Sequence, residues 1–125
     1  MDRKEEAVYL KHNGCNCAQA VMLAFKDVLP LGEDDLKKLG AGFGVGFGCM
    51  EATCGALIGA NIAFGMLSDG KPSLMSKSKE MLNEFNNSCG ATICKVLKGK
   101  DTGVVLCPCD DCVRCAVRLL EDRIK

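Results

Sequence analysis

A chain of 125 residues is the length of one folded unit, and sixteen Lys and Arg against sixteen Asp and Glu leave it without formal net charge. With no basic excess to neutralise phosphates, and six aromatics without a Trp to stack bases, nucleic acid is disfavoured as a partner, and nothing in the charge calls for an anionic membrane surface. Ten cysteines and a single histidine, His12, point to sulfur chemistry rather than to a histidine-rich zinc centre.

In chain order, Ala7, Val8 and Leu10 predict a short helix that stops at Asn13-Gly14. Cys17, Val21, Phe25 and Val28, flanked by Ala18, Met22 and Leu29, repeat at helical spacing and predict an amphipathic helix over 16–29 with Asn16 as its cap. Glu33, Asp34 and Asp35 ahead of Leu36 and Leu39 predict a short helix with its charges ordered along the dipole. Five glycines in the nine positions 40–48 are too permissive for a helix interior and predict a tightly packed loop. G-x-G-x-G-x-G without a preceding strand or a following Gly-Lys-Ser/Thr is not a nucleotide loop.

Thr53 is placed to cap an apolar helix over 54–67, in which Gly55 and Gly59, four apart, let another backbone come close. This stretch falls short of the roughly 20 apolar residues that a membrane span requires, and a buried central helix is expected. Ser73, after Pro72, opens a helix with Leu74, Met75, Ser78, Met81, Leu82 and Phe85 on its face. Asn86-Asn87-Ser88 is expected to interrupt it, leaving a shorter helix from Cys89 to Leu97 that closes at Gly99. Val104 to Leu106 is too short to found a sheet. Asp110 or Asp111 is placed to cap a last helix whose face is Val113, Ala116, Val117, Leu120 and Ile124. The expected architecture is all-α: a single domain over 1–125 of five to six packed helices with one glycine-rich loop.

The cysteines fall into four groups: Cys15 and Cys17, Cys49 and Cys54, Cys89 and Cys94, and Cys107, Cys109, Cys112 and Cys115. Met1 to Glu6 is charged and carries no apolar leader segment, so a cytoplasmic location is expected, where clustered thiols serve as metal ligands, redox couples or small buried apolar residues. The first three groups sit at or near predicted helix starts, where free N–H groups and the positive dipole end stabilise a thiolate. Cys17 and Cys54, each preceded by a cap residue, are the first candidates for redox thiols. Cys109, Cys112 and Cys115 have only part of the spacing of a ferredoxin run, and paired zinc knuckles are absent. Glu51 and His12 read as surface residues.

These residues together resemble a family of small redox-active proteins named for a C, CGAxxG, C, C cysteine pattern. Asn16-Cys17-Ala18-Gln19-Ala20-Val21 resembles its first cysteine segment. The run from Gly42 to Gly48 is similar to its glycine-rich loop, and Cys54-Gly55-Ala56-Leu57-Ile58-Gly59 reproduces CGAxxG. Phe85, Gly90 to Cys94 and Leu97 to Gly99 resemble the third segment, and Cys109 or Cys112 supplies the fourth cysteine. The resemblance implies a helical fold and a redox role, with Gly55, Ala56 and Gly59 as backbone of the motif around a cofactor. Cys15, Cys49, Cys89, Cys107 and Cys115 lie outside the pattern and have no assigned role.

The expectation is therefore an oxidoreductase or electron carrier in which Cys17, Cys54, Cys94 and Cys109 or Cys112 converge. They would act as ligands of an iron–sulfur cluster or another metal, or as thiol–disulfide couples without a cofactor, serving an unidentified redox partner. The alternative is a non-enzymatic module: zinc held structurally by the same thiolates, or a helical interaction domain that forms a homodimer through its Gly55/Gly59 face and methionines.

Overall fold

The computed structural model describes residues 1–68 and 71–124. They form eight helical segments: α1 (Arg3–His12), α2 (Cys17–Leu23), α3 (Glu33–Gly40), a wide irregular turn (Gly46–Met50), α4 (Gly55–Ser68), α5 (Leu74–Cys89), α6 (Cys94–Lys98) and α7 (Cys109–Arg123). The all-α class is as expected, but the count exceeds the expected five to six. The surplus is in short pieces: a turn inside the glycine run and the five-residue α6.

α4 lies at the centre, packed on one side against α2 and on another against α7, with α1 and α5 also closing on α7. Its low polarity follows from this placement, since Ala56, Leu57, Ala60, Ala63 and Phe64 are all buried. Phe25, Phe85, Met22 and Leu120 fill the space between helices, and full burial of each such side chain contributes about 1.5–3 kcal/mol. Among the described residues no helix is long and apolar enough to cross a membrane.

Several helix limits differ from the sequence expectations. α2 stops at Leu23 rather than 29, and the Arg3 guanidinium takes the Ala24 carbonyl at 2.6 Å. From there to Leu29 the chain continues mainly in tighter turns, Phe25 N–H to Met22 carbonyl and Lys26 N–H to Leu23 carbonyl. Asn86-Asn87-Ser88 does not interrupt α5, which runs to Cys89 and ends at the left-handed Gly90. Cys89 consequently closes a helix instead of starting one. α7 begins at Cys109 with Pro108 ahead of it, so Asp110 and Asp111 lie within its first turn and neither is the cap.

The largest difference concerns Thr53, which is not a helix cap. Its backbone pairs with Ile93 in an isolated antiparallel bridge. Cys54 N–H donates to the Thr92 carbonyl at 2.7 Å, and Cys94 N–H donates to the Ala52 carbonyl at 2.9 Å. This short ladder ties the segment entering α4 to the segment entering α6.

Candidate functional site

Four helix starts meet at one pocket. Cys17 is the first residue of α2, Cys94 of α6 and Cys109 of α7, while Cys54 immediately precedes α4. All four line a cavity of about 400 Å³, together with Cys15, Lys11, Lys98 and Gly55. Its remaining wall is Asn16, Val45 and Met50. Among the described residues no carboxylate or imidazole lines it, and sulfur is the main donor type on offer.

The local sequence explains how each cysteine is held. The Asn16 side chain accepts the Gln19 N–H at 2.8 Å, and the Gln19 carboxamide oxygen accepts the Asn16 N–H at 2.9 Å, a reciprocal cap that fixes the α2 start. The Asn16 amide also donates to the Gly40 carbonyl at 2.9 Å, which fastens the glycine-rich segment beside Cys17. The Thr53–Ile93 bridge sets Cys54 beside Cys94. A Cβ on Gly46, which has φ +54°, would come within 2.7 Å of the Cys94 Cβ, so the loop can close over Cys94 only with glycine there. Val45, Phe47 and Met50 also have left-handed backbones, with φ of 52°, 62° and 65°. Strain of this kind, held in the wall of a pocket, is a feature of functional sites.

The sulfurs interact in pairs. The Cys17 and Cys109 thiols are coupled, and the pair ionises unequally. Cys109 is drawn down to about 5, first by the bond from Cys17 and then, against the cost of burial, by the hydrogen bond and charge of Lys98 and the charge of Lys11. Cys17 is pushed far above the ordinary thiol range by that same bond and by burial. Cys54 is coupled to Cys112 and is drawn down to about 7, first by that neighbour and further by the N–H groups of Ala56 and Leu57 and by Lys98. Cys112 moves up for the converse reason. Burial raises Cys94. Burial opposes charge on Lys98, but its bond to Cys109 and the nearby thiolates outweigh that, and its pKa rises. The pocket therefore holds two stabilised thiolates beside a fixed cation.

Other sequence candidates fall elsewhere. Cys112 does not line the pocket; it is fully buried beneath Cys54, and Cys89, Cys107 and Cys112 have sulfurs within 4.8 Å of one another, close enough to hold a metal ion. Of the motif glycines, Gly55 lines the pocket, while Gly59 faces α2, where an added Cβ would meet the Ala18 carbonyl oxygen at 2.6 Å. The Gly55/Gly59 face expected for a homodimer is thus taken by α2 of the same chain. Glu51 is exposed and paired with Lys95 at 2.9 Å, and His12 is exposed and bound to Asp110. Sequence reasoning missed Lys98. Its only signal was a basic residue in the last turn of a short helix, which reads as a dipole partner and not as part of a site.

A family model described as "Putative redox-active protein (C_GCAxxG_C_C)" matches residues 15–123. In this chain the central block reads Cys54-Gly55-Ala56-Leu57-Ile58-Gly59, with cysteine ahead of glycine. No curated protein and no solved structure matches the chain.

Proposed function

The chain belongs to the C_GCAxxG_C_C family, and from that premise we propose that it is a redox protein whose centre is an iron–sulfur cluster held by Cys17, Cys54, Cys94 and Cys109. The observation that carries this reading is the convergence of these four cysteines, from four helix starts, on one sulfur-lined cavity. The donor set fits: four thiolates suit two-iron and four-iron centres. When bound, a cluster supplies one-electron transfer. The chain's own contribution is to keep Cys109 and Cys54 deprotonated, to offset negative charge with Lys98 and Lys11, and to screen the site with Val45 and Met50.

A second reading is supported by the coupling of the Cys17 and Cys109 thiols, which line the same cavity. Here the Cys109 thiolate attacks a partner disulfide and expels one partner thiolate, which takes up a proton. Cys17, having given up its proton, then attacks Cys109 Sγ and releases the second thiolate. The partner is reduced to a dithiol, and Cys17–Cys109 becomes the disulfide. Anaerobic purification with iron and acid-labile sulfide analysis separates the readings. The cluster predicts both elements in comparable amounts and a visible absorbance that dithionite bleaches reversibly. Colourless protein that loses two thiols on titration with a disulfide, and keeps them in Cys109→Ser, supports the couple and overturns the cluster.

A further inference from the structure

We propose that Cys89, Cys107, Cys112 and Cys115 form a second, closed thiolate site that takes one zinc ion and clasps the end of α5 and the 99–108 loop to α7. None of these four cysteines lines the pocket, although Cys112 is coupled to Cys54 and Lys98 reaches both sites.

Spacing is the first support. The Cys89, Cys107 and Cys112 sulfurs lie within 4.8 Å of one another. Four thiolates at about 2.3 Å from zinc stand about 3.8 Å apart, so closing these three around an ion requires shifts of about an ångström. Cys115, one turn beyond Cys112 on α7 and coupled to Cys89, lies outside that 4.8 Å group and would swing in as the fourth sulfur. All four are soft donors, the set that structural zinc prefers.

The surroundings are those of a closed site. Cys89, Cys107 and Cys112 are 6%, 7% and 0% exposed. Two cations reach the sulfurs from outside, Lys98 Nζ at 3.9 Å from Cys112 Sγ and Arg118 Nη2 at 3.8 Å from Cys115 Sγ, placed to balance the charge of four thiolates around a divalent ion.

The loop supplies an independent argument. From Lys100 to Pro108 every residue is exposed except Cys107. Val104, Val105 and Leu106 point outward, so the segment has almost no apolar anchor of its own. Its one buried side chain is a cysteine set against two others from different helices. Metal ligation is what turns such a contact into a staple, since its binding free energy becomes folding free energy.

The test uses the reduced full chain with Cys17→Ser and Cys109→Ser, so that the pocket does not contribute a metal, titrated anaerobically with Co²⁺ and then Zn²⁺. The expected result is about one equivalent of cobalt with the intense visible bands of a tetrahedral thiolate site, displaced by about one equivalent of zinc. Adding Cys107→Ser abolishes binding at the same concentrations, and adding Cys115→Ser weakens it about 10- to 100-fold and shifts the bands. In the otherwise unaltered chain, Cys107→Ser removes zinc and leaves pocket iron unchanged. A folded pocket variant that binds no cobalt, or zinc content indifferent to Cys107→Ser, overturns the proposal. Should Cys107→Ser not fold, chelation of the pocket variant decides: a lowered melting temperature supports the clasp and an unchanged one contradicts it.

Discussion

Individual sulfur atoms in this protein differ because of what each hydrogen-bonds. Cys109 sits at a helix start, accepts from Cys17 and faces Lys98, so it ionises near 5, while Cys17 keeps its proton. In the reduced, metal-free chain, one thiol should therefore react rapidly with iodoacetamide at about pH 6.5, and peptide mapping should place the label on Cys109. Replacing Lys98 by Met should raise the pH midpoint of that reaction; an unchanged midpoint would show that Lys98 does not set the thiolate. The same asymmetry appears in stability. Between about 5 and the ordinary thiol value of 9.0 the folded state has lost the Cys109 proton and the unfolded chain has not, so stability rises with pH. Above that window Cys17 and Cys112 retain protons that the unfolded chain has lost, and stability falls. Urea midpoints at about pH 6 and about pH 8 check the sign, and Cys109→Ser should flatten the rise. Cys17 and Cys54 were legible in the sequence as helix-start thiols; the partner of each was not, because sulfur pairs form across helices with no local pattern.

At the scale of elements, the site depends on how closely α2 and α4 approach. Gly59 stands against the Ala18 backbone, so Gly59→Ala must push the helices apart. Overpacking of this kind costs about 1–3 kcal/mol, visible as a lower urea midpoint, and it should widen the distance between Cys17 and Cys54 enough to impair metal retention. Asn16→Ala removes the reciprocal cap and the tie to Gly40, with an expected loss of about 0.5–2 kcal/mol. A stability change below a few tenths would mean that the cap is not what holds the α2 start. The Gly55/Gly59 spacing announced a close backbone approach, and Asn16 announced a cap. The bridge between Thr53 and Ile93 had no such signal, since two extended residues forty positions apart carry no periodicity. Nor did the start of α7: Asp110 and Asp111 are good caps by type, yet Pro108 fixes the entry one residue ahead of Cys109 and thereby aims Cys109, not Cys112, at the pocket.

Across the whole molecule, α4 organises two sulfur sites of different character. On one side lies a cavity with stabilised thiolates and a lysine; behind it lies a compact, buried set that joins α5, the 99–108 loop and α7. Cys54 and Cys112 are coupled where the two meet. Composition indicated sulfur chemistry, and amphipathic spacing indicated packed helices. The sorting of eight of the ten cysteines into two groups depends on tertiary packing and could not be read from their spacing. The central claim is that Cys17, Cys54, Cys94 and Cys109 share one cluster-binding centre. Iron and acid-labile sulfide per chain, measured on anaerobically purified wild type, Cys94→Ser and Cys49→Ser, tests it most directly, because Cys94 lines the cavity and the exposed Cys49 does not. A shared centre gives iron and sulfide in wild type and Cys49→Ser and loss of most of both in Cys94→Ser; wild type without iron, or Cys94→Ser with undiminished iron and sulfide, would contradict it.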